Sequence, residues 1–160
     1  MTQANDTNYL MNSDLRWNGW RQAQKTITFA GATENAIGDF AGTQNPFTIF
    51  TVTGDVIVKV VGICTTLLAS TGAGTLEVGV VGGTATLIAQ TTASTIVAGE
   101  IWHDASPDAF VELSSVITEK IVAAGADIKG TIGTADIETG VIKFICLWKP
   151  LGIDGEVTAA

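Results

Sequence analysis

His103 is the only histidine in the chain. Any acid–base pair, nucleophile triad or histidine-containing metal centre would have to be assembled around it. It stands in the run Trp102-His103-Asp104, with Asp108 close behind, so one loop carries an imidazole and two carboxylates. Those side-chain types can ligate a metal ion, but a metal centre needs about three or four converging ligands. One histidine beside loop aspartates does not guarantee that convergence. The reading adopted from sequence is a surface turn anchored by Trp102 against the core, with no metal bound.

Other chemistry is no better served. The chain has no Gly-x-Ser-x-Gly nucleophile elbow. Cys64 and Cys146 lie in the apolar runs Val-Gly-Ile-Cys and Phe-Ile-Cys-Leu, where buried free thiols acting as small hydrophobes are expected rather than a disulfide. Gly72-Ala73-Gly74 lacks the Lys-Ser/Thr ending of a phosphate loop and reads as a turn. Asp127 and Asp136 recur in two Ala-Asp-Ile triplets, a spacing similar to calcium-binding β-roll repeats, but the Gly-Gly-x-Gly flanks are missing. They are expected to decorate the ends of adjacent strands. Paired carboxylates could converge from distant strands for glycoside hydrolysis, yet the Thr/Gly/Ala-rich loops hold few of the polar and aromatic residues that enzyme sites use. No catalytic residue and no cofactor are assigned, and the chain is not expected to be an enzyme.

The elements that would position any site are strands. The segment from Gly74 to Gln90 reads as a β-hairpin about Gly82-Gly83: pairing Val81 with Thr84 sets Val80 opposite Ala85, Val78 opposite Leu87 and Leu76 opposite Ala89. The apolar residues then share one face, and a slip of one residue would invert every side chain. Ile27 and Phe29 alternate with threonines; Val56, Val58, Val60 and Cys64 make one apolar face with Lys59 on the other; Ile142, Phe144, Cys146 and Trp148 make another. Residues 116–124 read as a strand or a short helix, which periodicity does not separate. Seven to nine short strands between Gly, Asn, Thr and Pro turns predict an all-β protein, an antiparallel β-sandwich or jelly-roll-like barrel. The expected division is a polar N-terminal arm over residues 1–25, a β-domain over 26–152 and a short soft tail over 153–160.

At 160 residues with 46% hydrophobic content, the chain can bury a full core. The net charge is −8 with no run of Lys or Arg, which argues against nucleic acid and anionic membranes as partners. Only 15% of residues are charged, below the usual value of about 25%. Either a threonine-coated surface or self-assembly would explain this. The first residues show no secretory signal, and no apolar run is long enough for a membrane span. Synthesis in the cytosol as a soluble chain is expected.

The arm 1–25, the Thr/Gly/Ala-rich strands of 47–95, and the stretch from Gly125-Ala126-Asp127-Ile128 through Ile142 to Trp148-Lys149-Pro150-Leu151 together resemble small bacteriophage virion proteins. The likeness is to proteins that decorate or cement capsids as jelly-roll trimers. It implies a homotrimer on the capsid surface, bound to the major capsid protein and bridging capsomers. In that reading the arm binds the partner through Tyr9, Leu10, Arg16, Trp17, Trp20 and Arg21, since Trp, Tyr and Arg dominate interface energetics. A turn through Asp14 to Trp17 would bring Trp17 and Trp20 to one face. The alternative is a receptor- or glycan-binding jelly-roll module of a phage tail or fibre, with Trp102, His103, Asp104 and Asp108 at a sugar-binding tip.

Overall fold

The computed structural model describes residues 19–160, which form a two-sheet antiparallel sandwich. The strands are β1 (Arg21–Phe29), β2 (Phe47–Thr53), β3 (Val56–Ser70), β4 (Thr75–Val80), β5 (Gly83–Thr92), β6 (Glu100–Trp102), β7 (Asp108–Ala109), β8 (Lys120–Val122), β9 (Ile128–Gly133), β10 (Ile137–Pro150) and β11 (Glu156–Ala159). The first sheet runs β1-β10-β3-β6-β7, with β8 paired to the start of β3. The second runs β11-β2-β9-β4-β5. Eight of these strands nest as β1-β10-β3-β6 against β2-β9-β4-β5, so the chain winds back and forth between the sheets in the order of a jelly roll.

The period-2 pattern of the sequence decides which face each strand buries. Ile27 and Phe29, Val56, Val58, Val60 and Cys64, and Ile142, Phe144, Cys146 and Trp148 all face inward, as their alternation predicts. In β2 the alternation breaks at Ile49-Phe50, both buried, where the register against β9 shifts and a bulge turns the strand over. Residues 116–124 resolve into the end of a 3-10 turn (Ser114–Val116) and β8.

Three expectations are corrected. The hairpin exists, but Val80 pairs with Gly83, so its turn is Val81-Gly82, one residue earlier than expected. From there β4 advances from Val80 to Leu76 while β5 advances from Gly83 to Thr91, the difference taken up by two irregularities. Gly79 permits this: a Cβ there would lie 2.0 Å from the Gly83 carbonyl oxygen. As a result Ile88 and Thr91 face the core, and Ala85 and Ala89 are exposed. The second correction is at the ends. Strand β1 begins at Arg21, within the segment expected to be arm, because pairing with β10 runs from Arg21–Trp148 to Phe29–Gly140. Residues 156–159, expected to be soft, are an edge strand on β2 that buries Val157, and the Leu151 and Gly152 N–H groups bond the Asp55 carbonyl. The third concerns Asp127 and Asp136. They precede β9 and β10, which lie in opposite sheets, not side by side; each carboxylate accepts a backbone N–H, from Val52 (3.0 Å) and Phe40 (2.8 Å) respectively.

Cys64 and Cys146 are buried free thiols. Burial pushes the Cys146 thiol up to about 12 and raises Cys64 as well. Neither thiol should react with an alkylating reagent at pH 8 in the native protein, and both should react once the chain is unfolded in denaturant. Native labelling at the unfolded rate would contradict the packing. The sign for stability follows: a thiol held neutral by the fold contributes fully below the ordinary value of 9.0, and that contribution is lost as pH rises toward about 12.

Candidate functional site

The hairpin β6–β7 builds the one cluster of potential metal ligands found among the described residues. Ile101 pairs with Asp108 and Glu100 with Ala109, so the turn between them brings His103 and Asp108 together. Next to His103 in sequence, Trp102 is fully buried; its indole N–H donates to Thr91 Oγ1 (2.8 Å) and its ring packs edge-on to Phe144 at 6.1 Å. This anchor holds the histidine ring inside the loop, with only 6% of its side chain exposed.

After β7 the chain turns sharply. Phe110 sits at φ +61, a left-handed conformation uncommon for a bulky residue, with its N–H bonded to the Gly99 carbonyl (3.0 Å). The turn returns Glu112 to the histidine. His103 Nε2 lies 3.7 Å from Asp108 Oδ2 and 4.0 Å from Glu112 Oε2, while Nδ1 lies 3.9 Å from Asp104 Oδ2. None of these is a hydrogen bond, and Nε2 is buried with no protein partner. A buried polar atom left so costs about 1–3 kcal/mol. The two carboxyls are linked to each other: a hydrogen bond to Glu112, then burial, holds the Asp108 carboxyl above its ordinary range. The Leu113 N–H, then the bond from Asp108, holds Glu112 below its own.

The sequence reading found Trp102, His103, Asp104 and Asp108 but missed Glu112. The fold brings it in through a left-handed turn that no periodicity announces. Trp102 cannot serve at a sugar-binding tip as the alternative reading required, because the indole is wholly inside the sandwich.

A second feature lies on the outer face of the first sheet. Val61, Ile145 and Leu147 point away from the core and floor a groove of about 330 Å³, with Ile117 and Ser114 along one side and Gln22 and Lys59 completing it. Trp20 lies on the same face, stacked under Lys149 Nζ (4.5 Å from the ring centroid) and Lys59 Nζ (5.3 Å). The Arg21 guanidinium stands 5.0 Å over the Trp148 ring. Trp20 and Arg21, expected to meet a partner, therefore make contacts within their own chain. Tyr9, Leu10, Arg16 and Trp17, and the turn drawn through Asp14, lie outside the described residues.

Beyond the groove, the connection from β7 to β8 exposes Phe110 (77%), Val111 (83%) and Leu113 (69%), and Ile121 on β8 is 65% exposed. No described helix is long and apolar enough to cross a membrane. Comparison with protein-family models, with curated proteins and with solved structures found no match to this chain.

Proposed function

We propose that this protein is a structural subunit of a virion: a phage-type capsid decoration protein that assembles as a homotrimer, binds the major capsid protein and stabilises the shell by bridging capsomers. The observation that carries the reading is the group of large apolar side chains left in solvent on the β7–β8 connection, Phe110, Val111 and Leu113, which runs on into Ser114 and Ile117 at the wall of the apolar groove on the first sheet. Exposed large apolar side chains clustered on one connection mark an interaction site. The backbone supports it, since the left-handed Phe110 holds its ring outward over Gly99, where a Cβ would come within 2.4 Å of the ring. At about 25 cal/mol per Å² buried, modest contacts repeated over a lattice add up to a stable shell. In this reading Phe110, Val111 and Leu113, with the groove beside them, make the subunit contacts. The N-terminal arm, with Tyr9, Leu10, Arg16 and Trp17, reaches the capsid.

Light scattering on the full chain and on the double variant F110S/L113S tests the subunit contact. The wild type should have three times the mass of one chain. The variant should have the mass of one chain with an unchanged far-ultraviolet dichroism spectrum, because both side chains are exposed in the subunit. A wild type of single-chain mass, or a variant that still assembles, would remove this face from the assembly.

A further inference from the structure

We propose that His103, Asp108 and Glu112 bind a divalent transition-metal ion of the zinc or manganese class. The site does not depend on the virion reading. Its three candidate ligand atoms all lie within 4.8 Å of one another. Bonds of about 2.0–2.2 Å place neighbouring ligand atoms roughly 3–4 Å apart round an ion, so the 3.7 and 4.0 Å separations about Nε2 stand at the upper end of that range. The observation that points to a ligand is Nε2 itself. It is buried, aimed between two carboxylate oxygens and without a hydrogen-bond partner, a condition that native interiors rarely leave unexplained.

The donor set selects the ion. One imidazole with two carboxylates suits zinc or manganese; calcium and magnesium favour all-oxygen shells, and copper(I) prefers sulfur. Two carboxylates neutralise a doubly charged cation, and three protein ligands leave a coordination position for water. Asp104 Oδ2 lies 3.9 Å from Nδ1, on the far side of the ring from the other two carboxylates, and a small closure would let it accept the Nδ1–H and leave Nε2 to the ion. Its other oxygen is already fixed by the Ser106 N–H at 2.7 Å. Both cysteines are buried in strands β3 and β10 and take no part. A bound ion would clasp the turn carrying Phe110 and Val111 at both of its ends, because Asp108 and Glu112 flank the segment Ala109-Phe110-Val111.

The test is calorimetric titration of the chelator-treated full chain with zinc and, separately, with manganese, each paired with a melting curve. One ion per chain should bind, with a rise in melting temperature, and calcium should give neither. E112Q and D108N, both at partly exposed positions outside the core, should each weaken binding by more than the roughly tenfold lost with an outer-shell partner. H103Q should abolish it. Cobalt(II) substitution should give a visible absorption band that H103Q lacks. If H103Q does not fold, E112Q and D108N decide the question. Absence of binding by both metals, or binding that survives both carboxylate variants unchanged, would overturn the proposal.

Discussion

Replacing Trp102 with alanine is expected to cost about 3–5 kcal/mol of stability, the range for emptying a large aromatic site in a packed core. At this chain length the melting temperature should fall by about 10 °C or more. The indole is wholly buried and stands opposite Gly62, whose bare backbone is covered by Trp102, Ile142 and Phe144 together. It also ties the two sheets. Trp102 is on β6 of the first sheet, and the Thr91 hydroxyl that accepts its N–H is on β5 of the second. That hydroxyl also lies within bonding distance of the Ala89 (3.0 Å) and Asp104 (3.2 Å) carbonyls, so it donates to a carbonyl while accepting from the indole. Trp102→Phe separates the two contributions. It keeps most of the volume and loses the N–H donor, which should cost about 1–2 kcal/mol. Urea denaturation followed by far-ultraviolet dichroism measures both variants. An alanine variant within about 1 kcal/mol of wild type would mean that this end of the sandwich is not packed as described.

Gly38→Ala should cost about 3 kcal/mol or more, through strain and overlap acting together. Gly38 has φ +122, and a Cβ there would lie 2.3 Å from the Ile137 carbonyl oxygen, 2.6 Å from the Gly31 nitrogen and 2.9 Å from the Gly31 Cα. All three are backbone atoms held by hydrogen bonds. The Gly31 N–H donates to the Ile137 carbonyl (3.0 Å), and the Ile137 N–H donates to the Gly38 carbonyl (2.9 Å). This latch fixes the long β1–β2 connection onto the first residue of β10, and no side-chain movement can relieve the clash. Gly82→Ala is the control. It has φ +87 but nothing within 4 Å of the added carbon, so only the conformational cost of about 1–2 kcal/mol applies. Equal losses for the two variants in chemical denaturation would show that the close approach at Gly31 and Ile137 carries no weight.

The sequence by itself determined the class of the protein and the inward faces of its long strands. Through Val56–Cys64 of β3 and Val141–Lys149 of β10 buried residues alternate with half-buried ones, and that alternation is a local property: a strand turns successive side chains to opposite sides whatever its neighbours are. The existence of the β4–β5 hairpin was legible for the same reason. Its register was not, since the bulges answer to the core's demand for Ile88 and to the need for Thr91 beneath Trp102. Strand β1 shows the limit of alternation: Ala23 and Lys25 are weak inward signals, and only pairing with β10 carries the strand back to Arg21. Four residues with one buried valine could not announce β11. In the candidate metal centre, His103 and Asp108 were visible because a single loop joins them. Glu112 joins them only through the β6–β7 pairing and the left-handed turn at Phe110. Short-range order is written in the side chains of a segment, whereas convergence at a point depends on hydrogen bonds and close packing between segments, which exist only once the sheets have assembled.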